Sequence, residues 1–145
     1  LANRDVVDAN VIVAAVLPND PHHGAATQFI SDYAAKGAHF FTNNYIRSET
    51  FTITLIRSKS MEAVSILEKQ FFISGALNVF PIPAIWESEI IRVFLSQQKY
   101  KGEFLSYADS SLIVQARKQK ISTIFTFDKT FEQFKQEFDL PCGSK

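Results

Sequence analysis

Four acidic residues carry the chemical promise of this chain: Asp8, Glu49, Asp109 and Asp128. Asp8 interrupts the apolar run Val6-Val7-Asp8-Ala9-Asn10-Val11-Ile12. A carboxylate in such a run is costly unless something pairs with it. Glu49 is followed by apolar Phe51 and Ile53, unusual company for a solvated acid. Asp109 lies in Ser106-Tyr107-Ala108-Asp109, and Asp128 directly follows Phe125-Thr126-Phe127. Carboxylates that converge repel one another, and a hard divalent cation with oxygen ligands resolves the repulsion. Mg²⁺ or Mn²⁺ is the natural occupant of such a set. An ion of this kind can activate a bound water.

Each acid also has a structural reading. Asp109 completes a capping box with Ser106, worth about 1 kcal/mol of helix stability and no chemistry. Asp128 suits the cap of a following helix. Glu49 fits a partly exposed helical glutamate. Asp8 is the hardest to dismiss. Asp5 reads as a surface charge at the start of a strand.

The elements that must position these acids follow from patterning. Val6-Val7 reads as a buried strand ending near Asp8. Asp20 suits an N-cap with Pro21 at the first helical position. Ala25, Ala26, Phe29, Ile30, Tyr33 and Ala34 fall on one helical face, and Gly37 suits the stop. Strands are expected at 39–42, 77–80 and 122–127. Residues 51–55 alternate like a strand, yet Ile46, Thr50, Ile53 and Ile56 share a helical face. A helix capped by Asn43 or Asn44 keeps the alternation of strands and helices. Further helices are expected over 60–75, 85–100, 106–119 and 129–138. This order implies an α/β chain, a three-layer α/β/α sandwich around a central parallel sheet. In such sheets ligands sit outside the carboxyl ends of the strands, where Asp8 and Asp128 fall.

The chain has 145 residues, 46% of them hydrophobic, enough for one domain with a real core. No internal repeat or linker is visible, so residues 1–145 are expected to form a single domain. Lys plus Arg (15) equals Asp plus Glu (15), which excludes nucleic-acid binding by bulk positive charge but not by a local patch. Arg47 and Lys129, beside Glu49 and Asp128 in sequence, are candidate phosphate contacts. Solvated surface charge is the alternative for both. Arg117-Lys118-Gln119-Lys120 ends a helix, where cations favour the dipole. Trp86 and most of the 14 phenylalanines read as core. His22 and His23 read as helix-start or surface residues. The single cysteine, Cys142, makes neither an intrachain disulfide nor a cysteine-rich zinc site and fits a reducing cytoplasm. No apolar run reaches the roughly 18 residues of a membrane span, and no segment reads as a signal peptide.

Four stretches together resemble the motifs of the PIN-domain family, with the VapC-like toxins of prokaryotic toxin–antitoxin pairs as the nearest subgroup. They are Asp8-Ala9-Asn10-Val11, Thr42 to Glu49, Leu105 to Asp109, and Phe125 to Asp128. The resemblance runs from Val6 to about Phe138. It implies the α/β/α fold and a Mg²⁺- or Mn²⁺-dependent endoribonuclease that leaves a 5′ phosphate and a 3′ hydroxyl. By motif match Asp8, Glu49, Asp109 and Asp128 take the catalytic and metal-holding roles. Asn10 and Thr126 match positions that are often polar and are given a supporting role. The resemblance also implies a homodimer and a small cognate antitoxin protein. Phe29, Ile30, Phe51 and Leu55 are expected to supply the dimer face. The competing function is a non-catalytic module that binds RNA or a protein on the same fold.

Overall fold

The structure, a computed structural model, describes residues 5–37, 39–99, 102–134 and 142–144. Among the described residues five parallel strands form the sheet: β1 (Asp5–Val7), β2 (Phe40–Asn43), β3 (Leu77–Phe80), β4 (Thr123–Thr126) and β5 (Cys142–Ser144). Their order is β3-β2-β1-β4-β5. The helices are α1 (Ala9–Val16), α2 (His23–Ala35), α3 (Asn44–Ser58), α4 (Met61–Leu67), α5 (Glu87–Leu95) and α6 (Tyr107–Lys118).

The chain steps outward from β1 to β3, then returns through α5 and α6 to place β4 on the other side of β1. Right-handed crossovers in opposite directions put their helices on opposite faces of the sheet, which gives the three-layer α/β/α architecture. The direction reverses between β1 and β4. That is the point where an open parallel sheet leaves a crevice at its carboxyl ends.

Side chains from both layers and the sheet fill the core, among them Val6, Ile12, Ile46, Ile90, Leu112 and Ile124, all without exposure. Phe131, just after β4, is equally buried. Phe29 and Tyr33 of α2 pack with Phe40 and Phe125 from the sheet. Phe51 stacks on Phe72. Phe29, Ile30 and Phe51 are therefore partly covered by the fold itself, and only Leu55 of the expected dimer-face residues is exposed, at 41%. Trp86 also packs against the core, as expected.

Several local expectations need correction. Residues 9–16 form a helix where the sequence pattern marks no element. This helix is apolar on nearly every side because Ala9, Val11, Ile12, Val13 and Ala14 are all buried. Burial overrides the modest helix preference of its β-branched residues. Asp20 does not cap α2. Its backbone carbonyl accepts from His23 N, its Oδ1 from His22 N, and its Oδ2 pairs with Arg57 at 2.8 Å. The helix therefore starts two residues beyond Pro21. It ends at Ala35, and Gly37 then takes the positive φ of 69° that suits glycine. Asp5 is not on the surface: it is 4% exposed, because β1 is the central strand of the sheet. Its Oδ1 has no hydrogen-bond partner among the described residues. Burial pushes its carboxyl above the usual range, opposed by a hydrogen bond from Thr123.

The segment after Leu67 continues as a π-helical turn (Glu68–Ile73). Ile56 points to solvent, 67% exposed, instead of lying on the inner face of α3. The helix expected over 85–100 is a 3₁₀ turn, α5 and a second 3₁₀ turn through Lys99, and Tyr100 lies outside the described residues. The helix expected over 129–138 is a 3₁₀ turn over Lys129–Phe134, and 135–138 lie outside them too. Arg117 and Lys118 pair with Glu89 at 4.0 and 3.6 Å, consistent with their structural reading.

Candidate metal centre

Asp8 stands between β1 and α1. Its extended backbone (φ −77°, ψ 158°) makes it the N-cap of α1, and its Oδ1 accepts from Ala9 N at 2.7 Å. Oδ2 accepts from the Thr126 hydroxyl at 2.8 Å and from Asn10 Nδ2 at 3.2 Å. Asn10 Nδ2 also donates to Thr126 Oγ1, while its Oδ1 accepts from Phe127 N. Thr126 Oγ1 accepts from Asp128 N in turn. Asn10 and Thr126 thus sew the start of α1 to the end of β4.

Glu49 is half-buried on α3, one turn after Tyr45. The helix is fixed by its N-cap: Asn43 Oδ1 accepts from Ile46 N at 2.9 Å. The Asn43 amide also donates to Ser111 and to Gln115 of α6. That buried contact brings α3 and α6 together beneath the crevice. Asp109 sits in the first turn of α6, and the capping box with Ser106 is formed: Ser106 N donates to Asp109 Oδ2 and Asp109 N to Ser106 Oγ. The structural reading of Asp109 therefore holds, and it leaves Oδ1 outside the box. Asp128 also caps, accepting from Thr130 N at 2.9 Å.

One carboxylate oxygen from each of Asp8, Glu49 and Asp109 lies within 4.8 Å of the others. Asp128 stands apart from this trio but lines the same crevice of about 150 Å³, with Ala9, Asn10 and Ile53. Electrostatics follow from the crowding. Burial raises Asp8 well above the usual carboxylate range, and the charge of Asp109 adds to it. Burial raises Glu49, again with Asp109 contributing, while the Ser106 hydroxyl holds it down. Burial raises Asp109, and Asp128 adds repulsion. Ser106 escaped the sequence reading as a site residue, because a capping box gives no sign that the same hydroxyl reaches a second acid.

Among the described residues none of the four acids is ion-paired with Lys or Arg. Buried at Asp8, half-buried at Glu49 and Asp109, and oxygen-only, the trio fits a hard divalent cation. Arg47 and Lys129 are exposed and do not line the crevice. His22 stacks on Phe127 at 4.3 Å, and His23 Nδ1 meets Ala14 O at 2.7 Å, so both serve the start of α2.

The sequence model of the PIN domain matches residues 6–137. The chain belongs to the PIN-domain family. PIN domains are generally nucleases, which supports a nuclease kind of enzyme for this one. Solved structures share its fold. The chain is similar to the Mycobacterium tuberculosis toxin VapC20, described as sarcin-ricin loop cleaving, with a TM-score of 0.73 and 23% identity, covering 89% of this chain and 93% of that one. It is similar to VapBC2 from Rickettsia felis bound to a promoter DNA fragment, with a TM-score of 0.67, 15% identity and 97% of both chains covered. It is also similar to FitAB bound to a DNA fragment, with a TM-score of 0.56 and 16% identity, over 97% of this chain and 94% of that one. No curated protein matches this chain in sequence. Among the described residues no helix is long and apolar enough to cross a membrane.

Proposed function

We propose that this PIN domain is a Mg²⁺- or Mn²⁺-dependent endoribonuclease, the toxin of a toxin–antitoxin pair, acting in the cytoplasm as a single domain over residues 1–145. The observation that carries the reading is the trio of carboxylate oxygens within 4.8 Å of one another, Asp8 buried and Glu49 and Asp109 half-buried, with no Lys or Arg paired to them among the described residues. Asp8, Glu49 and Asp109 hold the cation, and Asp128 borders it from the rim. A divalent cation there lowers the pKa of bound water and offsets charge on the scissile phosphate. Asn10 and Thr126 fix the direction of the Asp8 carboxylate. Arg47 and Lys129 contact flanking phosphates of the RNA. Hydrolysis leaves a 5′ phosphate and a 3′ hydroxyl.

The toxin assignment is supported by family membership and by the likeness of fold to a toxin and to two complexes bound to DNA. A cognate antitoxin and a homodimer are the partners this reading brings.

The test is cleavage of RNA by the purified protein with Mn²⁺ or Mg²⁺, with and without EDTA. Wild type cleaves with metal and stops with chelator. Asp8→Asn, Glu49→Gln and Asp109→Asn each lose most activity while remaining folded, since they keep volume and remove ligand charge. Cleavage by Asp8→Asn at the wild-type rate refutes the site. RNA bound without cleavage under every metal condition points instead to a binding module.

A further inference from the structure

Glu87, the first residue of α5, lies outside the crevice and belongs to none of the motifs above. One of its carboxylate oxygens accepts the hydroxyl of Tyr45 and the other the hydroxyl of Tyr107. Tyr45 is in the first turn of α3, one helical turn before Glu49 and on the same side of that helix. Tyr107 opens α6, two residues before Asp109. The two helices that carry Glu49 and Asp109 are therefore tied to the same carboxylate. The two phenol rings meet edge to face at 5.6 Å, and Phe94 packs on Tyr107 at 5.9 Å, so the rings have little freedom to swing.

We propose that Glu87 is a positioning residue for the metal centre, its carboxylate shared between Tyr45 and Tyr107 so as to set the separation of Glu49 and Asp109. The inference rests on the metal-binding reading of the trio. A purely structural tie between helices is the competing explanation. The fold already has one such tie, since Asn43 joins α3 to Ser111 and Gln115 of α6. Loss of the Glu87 bridge therefore leaves the helices packed and changes the placement of their acids. Groups behind metal ligands commonly tune affinity in this way.

The experiment is calorimetric titration of Mn²⁺ into the purified full chain, with melting in EDTA measured in parallel. Wild type is compared with Asp8→Asn, Tyr45→Phe, Tyr107→Phe, the double Tyr→Phe variant, Glu87→Gln and the core variant Val93→Ala. The double variant is expected to bind Mn²⁺ about tenfold more weakly than wild type. Each single Phe variant shows part of that loss and keeps the proposal testable if the double variant does not fold. Glu87→Gln retains one acceptor oxygen and falls between wild type and the double variant. Val93→Ala melts lower but keeps wild-type affinity. A double variant that binds like wild type, or a Val93→Ala protein that loses as much affinity, overturns the positioning role while leaving the metal site intact. Wild type that binds no Mn²⁺, or binds it no better than Asp8→Asn, overturns the metal reading and the positioning role with it.

Discussion

The Thr126 hydroxyl donates to Asp8 Oδ2 at 2.8 Å, joining the ends of β1 and β4 where the chain reverses direction across the sheet. The same oxygen accepts from Asn10 Nδ2 and Asp128 N, so one buried atom orients one acid and anchors another. Thr126→Val keeps the shape and removes all three bonds. The variant should lose about 1–3 kcal/mol in urea unfolding, the cost of leaving buried polar groups unmatched. It should also bind Mn²⁺ more weakly, because Asp8 loses a bond that favours its charged form. Thr126→Ser should recover most of both. A Val variant as stable as wild type contradicts this.

Asp109 contributes charge repulsion to both Asp8 and Glu49. These carboxyls are raised in the folded protein, so the folded state holds their protons more tightly than the unfolded chain does. Their stabilisation is complete below the unfolded value, 3.8 for Asp8, and is lost as pH rises through the folded value. Metal-free wild type should therefore weaken from about pH 4 upward and level off once the folded acids are ionised. Asp109→Asn retains an oxygen for Ser106 N and removes the shared charge. It should weaken less over the same range and be the more stable protein at pH 7.5 in EDTA. Denaturant unfolding from pH 4.5 to 7.5 measures the difference, and parallel curves for the two proteins count against it.

Much of this was legible in the sequence, because β2, β3 and β4 are short apolar runs bounded by helix caps and turn residues. The helix over residues 44–58 was legible despite its strand-like centre, since Asn43 supplies the N-cap. What escaped depended on partners distant in sequence. The helix at 9–16 has a β-branched, all-round apolar pattern that local preference reads as strand; the one local sign was that Asp8 can cap it. Asp20 looked free to cap, but Arg57, far along the chain, holds its carboxylate. Asp5 looked like a solvated end charge, and only the sheet order puts it on the central strand. At the site, the motifs brought Asp8, Glu49 and Asp109 together. Asp128 lines the same crevice outside that trio.

That rim position sets an expected hierarchy. Asp128 holds Thr130 N and acts on the trio through charge, so Asp128→Asn keeps the cap and removes only the field. RNA cleavage with Mn²⁺ should fall less for Asp128→Asn than for Asp8→Asn, Glu49→Gln or Asp109→Asn. Equal losses in all four would place Asp128 among the direct ligands instead.

The Asp20–Arg57 pair gives a control away from the crevice. Asp20 has a side chain only 7% exposed, whereas Arg57 is 42% exposed, so solvent screens much of the attraction. Arg57→Gln should cost about 0.5–1 kcal/mol and leave Mn²⁺ binding unchanged. Urea unfolding and calorimetry separate the two effects, and a change in Mn²⁺ affinity would show that the loop before α2 communicates with the site.

Metal removal tests the trio as a unit. A ligand that binds only the folded state stabilises it by mass action, about 2.7 kcal/mol at a hundredfold excess over its dissociation constant. At pH 7.5 the wild type should melt several degrees higher in Mn²⁺ than in EDTA, because the cation removes the repulsion among Asp8, Glu49 and Asp109 as it binds. Asp8→Asn removes the most buried of the three charges, and its melting point should respond little to Mn²⁺. Adding 0.5 M NaCl distinguishes a held ion from diffuse screening. General screening would raise the EDTA melting point toward the Mn²⁺ value, whereas a coordinated cation leaves a gap that salt does not close. A wild type whose midpoint is indifferent to Mn²⁺ would mean that the three oxygens do not act as one binding site.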